Sequence, residues 1–372
     1  MADLSIEVDG LKFDNPFIIG SGPPGSNAST IKRAFDQGWA GVACKTIALE
    51  SEKVHNVAPR YARLQIQAEG KKNKKNIYGF QNIELISDRP FSDWMDDFKR
   101  IKDEYPDKIL IASIMEEPRK EPWQEITERC QEAGADAFEL NLSCPHGLPE
   151  RRMGMAMGQN PEIVKEVCGW VKEVSKVPVW AKMTPNVTDI CTPARSAFEA
   201  GVEGVSAINT ILSVMGVDLE TLRPQPTVEG YTTPGGYSCK AVRPIALRMC
   251  MELAREFPDK SLSGIGGIET GKDAAQFILL GCHTVQVCTG VMLYSYKMVK
   301  DMIRELGEFM DQHGFTSIEE FRGKSLEFFT THADLAERQR IAKIKKTLEK
   351  DADWKGEDFV AQSDALVTKT IS

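Results

Sequence analysis

No two of the nine cysteines stand three residues apart, and no run of apolar residues comes near the roughly 20 that a membrane-spanning helix needs. Cys44, Cys130, Cys144, Cys168, Cys191, Cys239, Cys250, Cys282 and Cys288 are scattered along the chain. That scatter excludes a disulfide scaffold and an iron–sulfur cluster held by a local cysteine run. The opening residues, ADLSIEVDGLKFDNPF, lack the basic start and unbroken apolar core of a signal peptide, so the chain is expected in the cytoplasm and away from membranes. A net charge of -8, with acidic and basic residues mixed throughout, offers no basic field to a nucleic acid backbone. A dinucleotide loop is also missing. No G-x-G-x-x-G follows an early strand-like run, and GSGPPG at 20–25 has prolines and a spacing that do not match one.

What is present is a long alternation. Short β-branched and apolar runs lie at 17–22, 41–47, 109–115, 137–144, 178–184, 204–210, 262–268 and 284–292, each short enough for a buried strand. Between them come amphipathic stretches such as STIKRAFDQG, WQEITERCQEAG, PEIVKEVCGWVKEVS, AVRPIALRMCMELAREF and GKDAAQFILLG, several ending in a glycine suited to a helix C-terminus. Strand and helix repeated about eight times predict an α/β protein built as a (β/α)8 barrel. The expected division is a catalytic barrel over 1–315 and a helical, charged extension over 316–372. Two connections, 48–89 with its EGKKNKKN run and 211–241, are too long for turns, and in a barrel such loops wall the active site. The segment from Ala333 reads as a solvated charged helix and tail, with a docking arm for a partner as the other reading.

Barrel active sites use the carboxyl ends of strands. Here the second run ends in Lys45 and Thr46, the fourth in Asn141, Ser143 and Cys144, and the fifth in Lys182. The sixth ends in Asn209 and Thr210, the seventh in Gly266 and Gly267, and the eighth in Cys288 and Thr289. A lysine in an apolar strand is costly to bury unless a core carboxylate, an anion or an electron-rich ring compensates it. A flavin would do so, because charge gathers on its ring when it gains electrons. The glycine pair, with backbone donors after the eighth run, is where barrels hold a phosphate. No metal is expected.

NPFIIGSG, KTIAL, NIELIS, IASIM, ELNLSCPHG, AKMTPNVTDI, INT, KAVRPIALR, GIGGIE and QVCTG, in that order, closely resemble the flavin domain of the dihydropyrimidine dehydrogenase family. They resemble the class 1 dihydroorotate dehydrogenases more distantly. The resemblance spans roughly residues 4 to 315 and implies a (β/α)8 barrel with FMN, acting on the 5,6 double bond of uracil or thymine or on the dihydropyrimidine. It implies Cys144 as the general acid/base that exchanges a proton at C5. Asn82, Glu84, Asn141, Ser143, Asn209 and Thr210 are implied as substrate contacts. Gly20, Ser21, Lys45, Thr46, Lys182, Gly266, Gly267, Cys288 and Thr289 are implied at FMN. A thiol suits the role, since near pKa ~8.5 it can give or take a proton. Glu84 favours the pyrimidine branch, as it would repel the carboxylate of dihydroorotate.

Two departures stand out. Cys239 occupies a position where the family usually has glycine, and the iron–sulfur and nucleotide modules of the complete dehydrogenases have no counterpart in the residues given. Electrons are therefore expected from a separate donor protein or subunit, and the chain as a homo-oligomer, a dimer. The readings kept beside this one are a dihydroorotate dehydrogenase and a flavin-binding subunit of a larger redox complex.

Overall fold

The computed structural model describes residues 2–65, 77–143 and 154–349. Eight strands form the frame: β1 Phe17–Ile19, β2 Gly41–Ala43, β3 Ile109–Ile114, β4 Ala137–Asn141, β5 Val179–Lys182, β6 Gly204–Ala207, β7 Ser261–Ile265 and β8 Thr284–Val287. Each pairs in parallel with its sequence neighbours, and β8 returns to β1, so the sheet closes. Nearly every strand residue is buried, as expected where helices cover one face and packed side chains the other. The chain is a (β/α)8 barrel.

The helices follow from caps and apolar spacing. They are α1 Ala28–Gln37, α2 Phe91–Glu104, α3 Lys120–Glu132, α4 Pro161–Val174, α5 Cys191–Glu199, α6 Arg243–Glu256, α7 Gly271–Leu279 and α8 Met298–His313. Asn27 and Thr270 each start a helix with a reciprocal capping box, satisfying two otherwise orphaned N–H groups. In α1 the buried Ala28, Ile31, Ala34 and Phe35 recur every three or four residues and face the barrel. Gly38 and Gly314 end α1 and α8 in the left-handed conformation.

Two additions complete the unit. Ile6–Val8 and Leu11–Phe13 form a hairpin through Asp9 and Gly10, both at positive φ, and Asp9 accepts from Trp180 Nε1 and Ser261 Oγ, each at 2.6 Å. This ties the hairpin to β5 and β7. The two long connections meet each other: Tyr61–Gln65, Ile77–Asn82, Gly235–Ser238 and Ile211–Ser213 make one four-stranded antiparallel sheet. Gly235 allows the close pairing, since a Cβ there would lie 2.6 Å from the Asn82 carbonyl oxygen.

The strands are shorter than the apolar runs. The run 41–47 contributes only Gly41–Ala43, so Lys45 and Thr46 lie beyond the strand, and 284–292 breaks after Val287 into a short helix at Thr289–Tyr294. The first compact unit also continues past 315, to Leu326, because Ile318 and Phe321 are fully buried in the core. The second unit, Glu327–Ser372, contains helix α9, His332–Glu349. Among the described residues no helix is long and apolar enough to cross a membrane. Since Phe321 also packs against Phe309 and Phe315, Phe321→Ala should destabilise the barrel by about 3–5 kcal/mol, read by chemical denaturation.

Candidate active site

The carboxyl ends of the barrel strands and the four-stranded sheet line a common pocket. Ser21, Lys45, Thr46, Asn141 and Lys182 line it from the ends of β1, β2, β4 and β5. Asn209, Thr210, Gly266, Gly267, Cys288 and Thr289 continue around the rim from the last three. Asn82 and Glu84 enter from the added sheet, with Tyr61, Phe80 and Tyr237 beside them. Of the residues expected at the site, Gly20 and Ser143 stand behind this wall: Gly20 donates its N–H to Val287 O at 3.0 Å, and Ser143 is fully buried against Asn141 and Asn209. Cys144 lies outside the described residues, as do residues 66–76 with the whole of the EGKKNKKN run.

Both buried lysines find carboxylates within the chain. Lys182 Nζ donates to Glu139 Oε1 at 2.9 Å, and neither side chain is more than 4 % exposed. Glu139 Oε2 accepts from Ser206 Oγ at 2.8 Å and from Gln286 Nε2 at 2.7 Å. Lys45 Nζ donates to Glu84 Oε1 at 2.6 Å. Arg60 Nε lies 3.2 Å from that same oxygen, and Tyr61 Oη donates to Oε2 at 2.8 Å. The lysines therefore do not need a bound ring to balance their charge. Two cations therefore flank Glu84, whose side chain still lines the pocket.

The rest of the rim is a polar chain. Asn141 Nδ2 donates to Thr46 Oγ1 at 2.8 Å, which also bonds Ser113 Oγ at 2.8 Å and meets Ser21 Oγ at 3.2 Å. Asn209 Nδ2 donates to Ser143 Oγ at 2.8 Å, so Ser143 orients Asn209 from behind. On the opposite side Gly267 has φ +71°, and a Cβ there would lie 2.7 Å from Cys239 O, so only glycine admits the close approach of the 239–242 turn. Cys239 itself has φ +80°, a glycine-like backbone carried by a larger residue. Burial pushes the Cys239 thiol up to about 11 and the Cys288 thiol to about 12, so both stay protonated at neutral pH.

A flavin fits this donor set on one specific ground. Gln286 lines the pocket, and its buried Oε1 has no hydrogen-bond partner among the described residues. A buried acceptor left so is costly unless a bound group donates to it. Lys182 supplies a cation on the same wall, and Gly266 and Gly267 a narrow backbone turn.

Arg60, Tyr61, Glu139 and Gln286 were not anticipated. The signal for Glu139 was present, as an acid in the middle of AFELN, an otherwise apolar strand. Arg60 and Tyr61 carry no local signal, because only the pairing of Tyr61 with Asn82 brings them to Glu84.

Fold and site together define a barrel enzyme working at the carboxyl ends of its strands. The dihydroorotate dehydrogenase family model matches residues 3–310, and the chain belongs to that family. It is an oxidoreductase. It is 57% identical to the chloroplastic dihydropyrimidine dehydrogenase (NADP(+)) of Arabidopsis thaliana, over 98% of this chain and 88% of that one. It is 43% identical to the NAD-dependent dihydropyrimidine dehydrogenase subunit PreA of Escherichia coli K12, over 86% and 76%. The catalytic subunit of dihydroorotate dehydrogenase B (NAD(+)) from Pyrococcus abyssi is more distant, at 35% over 87% and 99%. A dihydroorotate dehydrogenase from Eimeria tenella, solved with ferulenol, superposes with a TM-score of 0.71 at 18% identity, covering 87% of this chain and 88% of that one, which bears on the fold alone.

Glu139→Gln removes the counter-charge of a lysine that is 3 % exposed. Stability should fall by about 3–5 kcal/mol, measured by urea denaturation.

Proposed function

We propose that the chain is an FMN-dependent oxidoreductase that reduces the 5,6 double bond of uracil or thymine, or oxidises the dihydropyrimidine, with electrons exchanged through a separate donor. The observation that carries this reading is a single pocket in which amides, a carboxylate and a hydroxyl from three segments, Asn82 and Glu84, Asn141, and Asn209 and Thr210, share a wall with Lys182 and the Gly266–Gly267 turn. A pyrimidine rim offers two carbonyl acceptors and two N–H donors, and this set can answer both kinds. The names of the plant and PreA relatives point to the same chemistry.

Lys182, Gly266, Gly267, Cys288 and Thr289 would hold the FMN, with Ser21, Lys45, Thr46 and the Gly20 backbone around it. When bound, FMN supplies the hydride-transfer chemistry of the reaction. The protein's own tasks are orientation and proton transfer. Asn82, Asn141, Asn209 and Thr210 orient the ring, and Ser143 steadies Asn209. Glu84, held between Lys45 and Arg60, accepts from a ring N–H. Cys144 gives or takes the proton at C5, a role that rests on the NLSCPHG motif.

PreA is named as a subunit, which supports a separate electron donor for this chain too. The dimer and the cytoplasmic setting belong to the same reading. The second reading is dihydroorotate oxidation, favoured by the family model and by the cations beside Glu84. Anaerobic titration with uracil, thymine, dihydrouracil and dihydroorotate, followed at the flavin absorbance, separates the two. Bleaching by dihydroorotate alone overturns the pyrimidine assignment.

Three outcomes follow for the purified protein. Acid extraction should release FMN and no FAD. Cys144→Ala should retain the flavin but lose about 10²-fold or more in turnover, the scale of a positioned acid/base, by steady-state assay. The isolated chain should turn over with reduced viologen while oxidising NADH or NADPH far more slowly; NADPH oxidation that keeps pace with uracil reduction would remove the separate donor.

A further inference from the structure

Arg60 does not line the pocket. It stands behind Glu84, immediately before the strand Tyr61–Gln65. Its Nε and Lys45 Nζ converge on one oxygen, Glu84 Oε1, at 3.2 and 2.6 Å. Tyr61 Oη holds the other oxygen, and burial pushes the Tyr61 phenol up to about 12, so it remains a neutral donor across the working pH range. Arg60 Nε also approaches Tyr61 Oη at 3.3 Å. Among the described residues neither Lys45 nor Arg60 has a second ion pair, and Asp88 acts on Arg60 only at longer range. Two cations and a phenol aimed at the two oxygens of one carboxylate make up a carboxylate-binding site, filled by a side chain of the same protein.

We propose that Arg60 is a specificity-determining positioning residue: with Lys45 it forms a carboxylate site that Glu84 occupies, and that occupancy makes the pocket select an uncharged ring over one bearing a carboxylate. The cluster sums to one positive charge, so an anion is not turned away at long range. It is turned away at contact. The donors already face Glu84, and an incoming carboxylate would have to lie against the carboxylate that holds them. The same donors keep Glu84 aimed, ready to accept from a ring N–H. With Glu84 removed, the site is vacated and open to a carboxylated ring.

This deepens the reading of the pocket as a substrate site and is tested without turnover. Orotate and uracil binding are measured by calorimetry on the FMN-loaded full chain and its variants. Glu84→Ala should bind orotate about ten-fold or more tightly than the unaltered chain, while uracil weakens, and Glu84→Gln should move both in the same directions. Adding Arg60→Gln to Glu84→Ala should return orotate to within about three-fold of the unaltered value, and Arg60→Lys should keep most of the gain. A folded Glu84→Ala with no gain for orotate overturns the proposal, as does a gain that survives Arg60→Gln. If neither Glu84 variant folds, Arg60→Gln alone decides. A several-fold rise in the uracil Kd, restored by Arg60→Lys, supports the proposal, and an unchanged Kd overturns it. Failure of the pyrimidine reading would look different: the unaltered chain would neither bind nor reduce uracil, whatever orotate does in the variants.

Discussion

A lysine ammonium cannot be taken out of water alone, and that constraint organises the centre of this barrel. Lys182 ends β5 with its charge in the interior, so a carboxylate must meet it there, and Glu139 on β4 does so. A lone carboxylate would leave lone pairs unused, and Ser206 on β6 and Gln286 on β8 take them. One acid thus links four of the eight strands through side chains. The backbone register agrees: Asn141 pairs with Lys182, Lys182 with Ser206, and Gln286 with Ile265 of β7. A slip by one residue would turn Lys182 or Glu139 outward and strand its partner. The polar core and the strand register are therefore one constraint.

The same logic recurs at the rim with a different use. Lys45 and Glu84 come from segments 39 residues apart, joined through the added sheet, and Arg60 and Tyr61 complete the cluster. Each carboxylate meets three side-chain donors, but Glu139 is sealed inside the wall whereas Glu84 lines the pocket. One pair serves the architecture, and the other can serve recognition. Cys239 gives a further example of geometry overriding composition. Its backbone keeps the positive φ that glycine adopts freely, at a cost of about 1–3 kcal/mol, because the turn must pass close to Gly267.

The barrel was legible in the sequence, since each strand–helix pair has its own local signal in period, caps and breakers. The ends of the strands were legible too, because polar residues closing an apolar run mark the carboxyl rim. The run boundaries were less so: Lys45, Thr46, Cys288 and Thr289 sit beyond their strands, where apolar character continues but the hydrogen-bonded ladder does not. Residues 48–89 and 211–241 were read correctly as long connections, yet nothing in either one predicted that they pair with each other. Ile318 and Phe321 belong to the core through contacts with α8 and its neighbours, which no pattern within 316–326 announces.

The sequence by itself therefore determined the architecture and the residue types gathered at one end of the barrel, because period, capping and strand endings are local properties. Only the tertiary structure decided how the buried charges are matched. Ion pairing depends on distances of a few ångströms between residues tens of positions apart, and closing the barrel and pairing the two long connections set those distances. Lys182 met Glu139 across neighbouring strands, and Arg60 and Tyr61 reached Glu84 through the added sheet, so that Glu84 stands in the pocket as a held carboxylate between two cations.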